Sequence, residues 1–156
     1  MQESQIIMLE RSFAEVFSVR DDAAALFYER LFVNDPSLKR LFPRTDMSEQ
    51  GKKLMAALAL VVSALRRIEA VTPTLENLAV KHVGYGVRDE HYVTVGTALL
   101  ETLSLFFGER FTPALRAAWT GAYDTISAVM IAAANAQSNR GVSHPENIQT
   151  PLPEIS

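Results

Sequence analysis

TLENLAVKHVGYG, residues 74–86, places Leu75, Leu78, Ala79, His82 and Val83 at i, i+3, i+4, i+7 and i+8, one apolar face of an α-helix. Thr72-Pro73 opens this helix and Gly84-Tyr85-Gly86 ends it, since glycine readily takes the left-handed turn past a helix end. The same period continues outward on both sides, with no stretch alternating as a half-buried strand would. Upstream, Ser48 starts a long helix to about Ile68 with an inward stripe through Gln50, Leu54, Ala57, Leu58, Val61 and Leu65. Asp35-Pro36 caps and begins a short helix that Pro43 closes. Before it, Asp21 and Asp22 are cap candidates for a helix carrying Ala24, Phe27, Tyr28, Leu31 and Phe32, and Ser4 for a first helix through Phe17. Downstream, a helix runs from about Asp89 to Phe107 and stops at Gly108, and Thr112-Pro113 opens the last one, to about Gln137. The chain is therefore expected to be all-α, about seven helices in one domain over 1–137. Residues 138–156, with three prolines and little helical pattern, read as an extended tail.

Composition narrows the function. A chain of 156 residues buries a core with room for a sizeable cofactor. With 15 basic against 18 acidic residues, a net charge of −3 gives no footprint for nucleic acid or anionic lipid. The absence of cysteine excludes disulfides, thiolate catalysis and Cys-ligated metal centres. The N-terminus lacks the pattern of a secretory signal. The longest apolar run, Leu54 to Leu65, is well short of the roughly 20 residues that span a bilayer. A cytoplasmic location without membrane or nucleic-acid partners is the expectation.

His82 is the residue most open to chemistry. A buried imidazole needs partners for its nitrogens. It is satisfied either by an ordinary core hydrogen bond, the commoner outcome on spacing alone, or by ligating a metal through one nitrogen while the other donates to a carbonyl. A cage of protein side chains is disfavoured: there are only three histidines, His82, His91 and His144, and neither HExxH nor ExxH occurs. His91, near a helix start, and His144, in the tail, are expected to be solvated. A metal on His82 would have to bring most of its own coordination, as haem iron does.

The stretches LFYERLFVNDPSLKRLF (26–42), SEQGKKLMAAL (48–58), KHVGYGVRDEHYVTVGTALL (81–100) and AAWTGAY (117–123) resemble bacterial single-domain globins and the haem domain of flavohaemoglobins. The likeness covers roughly residues 5–135, with several motifs in the right order. It implies a globin fold enclosing haem b, with His82 as the proximal iron ligand. It also implies a distal Tyr28 and Gln50, Leu54 over the ligand site, and Phe42 packed against the haem. Ala57, Val87, Tyr92 and Val95 follow as further haem neighbours, and Lys53 as a partner for a propionate. Without the resemblance, the favoured readings are a core aromatic for Tyr28 and an exposed helix residue for Gln50, while Phe42 and Tyr92 also read as core aromatics and Lys53 as a solvated lysine.

On this reading Tyr28 and Gln50 are hydrogen-bond donors to a diatomic ligand, and they favour O2, which acquires negative charge on binding, over CO, which polarises less. One such bond, worth roughly 1–3 kcal/mol, changes affinity from about fivefold to somewhat over a hundredfold. Tyr92 matches a tyrosine that flavohaemoglobins join to a carboxylate on the last helix, but the corresponding position here is Ala134. Losing that carboxylate weakens the electron push on the proximal imidazole, which favours binding over oxidative catalysis. The first expectation is reversible binding, storage or transport of O2, with NO and CO as further ligands. The alternative is NO dioxygenation to nitrate with an external reductase, since no GxGxxG loop or flavin domain occurs in this sequence.

Overall fold

The computed structural model describes residues 1–42, 45–84 and 89–139; within its helices, the side chains at 68–72, 82–84, 89, 134 and 137–139 lie outside what is described. The described residues form six α-helices: α1 (Glu3–Ser18), α2 (Arg20–Asn34), α3 (Met47–Ala64), α4 (Ile68–Gly84), α5 (Asp89–Phe107) and α6 (Pro113–Asn139). Two 3-10 helices, Pro36–Leu41 and Gly108–Arg110, join α2 to α3 and α5 to α6.

Local capping chemistry explains most of the boundaries. Asp35 accepts from Ser37 N at 3.1 Å and Pro36 follows it, as the sequence implies, although the short helix is of the tighter 3-10 kind. Thr112 Oγ1 accepts from Leu115 N at 3.2 Å with Pro113 next. Gly108, at φ +59°, ends α5 in the left-handed region that suits glycine. Three starts differ from expectation. Asp46, rather than Ser48, caps α3, its carboxylate taking the N–H groups of Ser48 and Glu49 at 2.9 and 3.3 Å. Asp21 and Asp22 sit inside the first turn of α2, where they complement the helix dipole instead of capping it. Ser4 lies within α1, whose first turn is closed by Gln2 N donating to Gln5 Oε1 at 3.2 Å.

The largest difference is at α4, which begins at Ile68 with Pro73 inside it. Arg67 N bonds to Ala64 O at 2.8 Å, a tight turn that returns the chain to helix before the proline. Proline's own φ is helical, but at this position it forfeits one ladder bond and its ring crowds the carbonyl one turn back. The α6 helix runs on to Asn139; Pro43, Arg44, Gly86 and residues 140–156 lie outside the described residues.

Packing follows the apolar stripes. The α2 helix lies against α3 and α5, α4 against α6, and α1 against α6. The shared core includes Leu9, Phe27, Leu31, Leu54, Leu75, Leu103 and Trp119. Trp119 Nε1 donates to the buried Ser12 Oγ at 3.0 Å, joining α6 to α1. At the rim, Arg66 bonds Glu3 and Glu10, and Glu101 accepts from Arg30 and Asn34, exposed pairs of small energetic weight. By contrast, α3 and α4 touch little, and a cleft opens between them.

Candidate functional site

Tyr28 and Gln50 are brought together by the crossing of α2 and α3. A Cβ on Gly51 would lie 3.0 Å from the Cβ of Ala24, so the absence of a side chain at Gly51 lets the two backbones approach. Tyr28 is one turn beyond Ala24 and Gln50 immediately precedes Gly51, so the close crossing places both within the fold. They are 5% and 2% exposed. Neither the Tyr28 hydroxyl nor the Gln50 Nε2, both buried, has a hydrogen-bond partner. Burial pushes the Tyr28 phenol well above its ordinary range, and the Gln50 side chain offsets part of that rise. The Gln50 side chain thus approaches the phenol as a hydrogen-bonding neighbour, though the contact falls outside the geometry of a full bond. The phenol stays protonated, and both residues keep a donor in hand.

Aromatic packing holds Tyr28 in place. Its ring meets Phe27 edge-on at 5.0 Å and Phe42 at 5.8 Å, and Phe32 lies 5.6 Å from Phe42. Phe42 and Leu54 are buried in the same core. Thr45 Oγ1, close by in sequence, is a third buried polar atom without a partner; no periodic signal distinguishes this residue, and sequence reading missed it.

Lys53 and Ala57 line the cleft between α3 and α4, about 410 Å³, together with Leu60 and Leu78 and, from α4, Lys81. Lys53 is exposed and Ala57 half-buried. On α4, Leu75 and Ala79 are buried, and position 82 continues their face at i+7 and i+3. The imidazole of His82 lies outside the described side chains, and Val87 outside the described residues. Tyr28 borders a different cleft, between α2 and α3, of about 450 Å³.

Tyr92 and Val95 are buried on α5. Tyr123 Oη donates to the Tyr92 carbonyl at 2.6 Å, and burial, then the neighbouring Tyr92 and Asp124, push its phenol up. This contact requires Gly96, where a Cβ would stand 2.7 Å from the Tyr123 ring. His91, expected to be solvated, is 6% exposed and is engaged with a neighbour. Its place one turn before the buried Val95 puts it on the inward face of α5. His144 lies outside the described residues.

The globin family model matches residues 25–130, more than half of the chain and the whole span from Tyr28 to α6. The chain belongs to the globin family. It is similar to a flavohemoprotein of Vibrio cholerae, 36% identical over 107 residues, which are 67% of this chain and 27% of that protein. A flavohemoprotein of Bordetella parapertussis is 35% identical, and one of Bacillus subtilis 29%, over the same shares. This globin thus spans about a quarter of the length of the curated relatives it matches. In three dimensions it is similar to a bacterial globin of Campylobacter jejuni, with a TM-score of 0.78 at 24% identity, covering 88% of this chain and 99% of that one. That likeness shows the fold, and membership of the globins implies a haem cofactor and the binding of diatomic gases.

Among the described residues, the globin fold gathers Tyr28, Phe42, Gln50 and Leu54 into one buried region and sets Lys53 and Ala57 along the α3–α4 cleft. Tyr92 belongs to the same core, lining a cavity with Leu58 and Val61 of α3, and its carbonyl accepts from Tyr123 of α6. Tyr123 was missed in sequence because its target is a main-chain carbonyl, which no side-chain motif encodes. No helix of the described residues is long and apolar enough to cross a membrane.

Proposed function

We propose that this globin binds O2 with high affinity, and NO and CO besides, at a haem b carried by His82, with Tyr28 and Gln50 as donors to the bound gas. The observation that carries this reading is the pair of buried donors without partners. A buried, unpaired donor costs roughly 1–3 kcal/mol, a cost that is offset when a ligand supplies the acceptor. The remaining residues suit the cofactor. The α3–α4 cleft has apolar walls at Ala57, Leu60 and Leu78 with Lys53 and Lys81 at its edge, matching a flat apolar group with anionic margins. No cysteine is present to link a haem covalently, which favours haem b.

When bound, haem supplies an iron with an open position for a diatomic ligand. In this reading His82 would hold the iron from α4, Phe42, Leu54, Ala57, Val87, Tyr92 and Val95 would pack around the group, and Lys53 would meet a carboxylate edge. Tyr28, kept neutral by burial, donates its proton in a hydrogen bond without giving it up. Gln50 adds an N–H and, being an amide, leaves the ligand position open where a histidine would compete for it. The folded unit is proposed to be residues 1–137, with 138–156 as a tail, in the cytoplasm; cell fractionation and limited proteolysis test these points.

The names of the relatives join a flavin to a haem, which favours a second reading: conversion of NO and O2 to nitrate. NO and O2 combine to nitrate with one electron, so each turnover draws one electron from a separate reductase. The gas-binding reading is tested by absorption spectroscopy of the haem-supplemented chain. A Soret band that shifts with CO and is lost in His82→Ala is expected; a colourless wild type, or a band indifferent to His82→Ala, overturns it. Repeated nitrate formation in the presence of a reductase, rather than a single stoichiometric oxidation, would favour the second reading.

A further inference from the structure

Among the described residues, three buried side-chain polar atoms have no partner: Tyr28 Oη, Gln50 Nε2 and Thr45 Oγ1. All three belong to one corner of the fold, where α2, the Pro36–Leu41 helix and the start of α3 meet. Thr45 N donates to the Phe42 carbonyl at 3.3 Å, and the Phe42 ring stands edge-on to Tyr28 at 5.8 Å. On its other side Thr45 adjoins Asp46, whose carbonyl accepts from Gln50 N at 2.9 Å. The main chain thus ties Thr45 between the ring that packs on Tyr28 and the turn that carries Gln50.

Buried hydroxyls elsewhere are satisfied within the chain. Ser12 Oγ donates to the Leu9 carbonyl and accepts from Trp119, and Thr102 Oγ1 donates to the Ala98 carbonyl at 2.7 Å. Thr45 is not needed to cap α3 either, since the Asp46 carboxylate takes the N–H groups of Ser48 and Glu49. Valine would fill the same space as Thr45, so the hydroxyl is the part of this residue that packing leaves unexplained.

The donors at this corner outnumber what a gas can accept. Tyr28 offers one O–H and Gln50 Nε2 two N–H groups, whereas a bound diatomic presents a single outer atom. With the Tyr28 O–H and one Gln50 N–H directed at the gas, the second Gln50 N–H still needs an acceptor. The Tyr28 oxygen, approached outside the geometry of a full bond, does not fill that need. Thr45 Oγ1 has lone pairs to offer. Neither Thr45 Oγ1 nor Gln50 Nε2 has a direct partner, so a link between them takes one bridging water, enthalpically nearly as good as a direct bond. Such a bridge also decides orientation. A glutamine amide has a donor end and an acceptor end of nearly the same shape, and only the nitrogen end stabilises a ligand carrying negative charge.

We propose that Thr45 is a positioning residue of the gas site: through one buried water it takes the second N–H of Gln50 and holds the amide with its nitrogen toward the bound gas. The service to the gas rests on the haem reading above; the bridge from Thr45 to Gln50 does not.

The bridge is read in 15N-labelled protein, as a cross-relaxation peak between water and the side-chain amide protons of Gln50. The peak is expected in the wild type with or without haem, is lost in Thr45→Val and returns in Thr45→Ser. The orientation is read from the C–O stretch of the CO-bound holoprotein. A single band is expected in the wild type and in Thr45→Ser, with a second band at higher frequency in Thr45→Val, where the amide is free to flip. Release of O2 should quicken roughly two- to tenfold in Thr45→Val. Absence of the water peak at Gln50 in the wild type, which requires no variant to fold, overturns the bridge, and so does a peak that survives in Thr45→Val. Identical C–O stretches in the wild type and Thr45→Val overturn the positioning role. A water peak in a chain without a Soret band would defeat the haem reading, and the service to the gas with it, while the bridge stands.

Discussion

The α2–α3 crossing and the α5–α6 contact are both buried and both contain tyrosine, yet they treat polar atoms in opposite ways. At the crossing, the Tyr28 hydroxyl and the Gln50 amide nitrogen are buried without partners. Between α5 and α6 the Tyr123 hydroxyl is bonded to a main-chain carbonyl, and Trp119 in the same helix to Ser12. A satisfied buried donor stabilises the fold, whereas an unsatisfied one lowers stability and is kept for something the chain does not itself contain. In the function proposed above, the first region serves the ligand and the second the scaffold.

The sharpest way to break this contrast is Tyr28→Phe. Release of O2, followed by stopped flow, should quicken from about fivefold to over a hundredfold, and release of CO much less. Stability against urea should meanwhile hold or rise by about 1 kcal/mol, because an orphaned hydroxyl is removed. Equal effects on both gases, or a marked loss of stability, would place Tyr28 in the scaffold instead.

Gly96→Ala should do the reverse. Its Cβ would stand 2.7 Å from the Tyr123 ring, which cannot rotate away without giving up the Tyr92 carbonyl. Overpacking of roughly 1–3 kcal/mol exceeds the gain of about 1 kcal/mol from alanine in a helix, and Tyr123→Leu in the same chain should restore the loss. Ser12→Ala leaves the Trp119 N–H unpaired and should destabilise by about 1–2 kcal/mol with O2 release unchanged. A change in O2 release there would show that the scaffold and the ligand region are coupled.

The smallest effect is on pH dependence. Both buried phenols have pKa values raised above the ordinary one. Above about pH 10 an unfolded chain releases these protons while the native one retains them, so stability falls as pH rises. Each phenol contributes a loss of about 1.4 kcal/mol in all between pH 9 and 11, and Tyr28→Phe should remove one such share in urea titrations over that range.

How much of this was legible in sequence follows from the range of each interaction. Asp35-Pro36 and Thr112-Pro113 announced helix starts because a cap and the N–H it satisfies are two or three residues apart. The α4 start was misread because Pro73 looks like a first-turn residue whether the helix begins at it or before it. The candidacy of Tyr28, Gln50 and His82 was legible through order and spacing together with family likeness. The burial of His91 was not, since it depends on which face of α5 packs into the core.

By itself the sequence determined an all-helical chain with the caps at Asp35 and Thr112, its apolar faces and an ordered set of candidate ligand residues, all properties decided within a turn or two of each residue. Only the tertiary structure decided that Tyr28 and Gln50 share a buried region with donors unpaired, while Tyr123 and Trp119 are bonded. Those outcomes turn on meetings between distant segments, Gly51 with Ala24 and Trp119 with Ser12. A distant contact costs loop entropy and is made only when the whole core closes, so no local pattern records it.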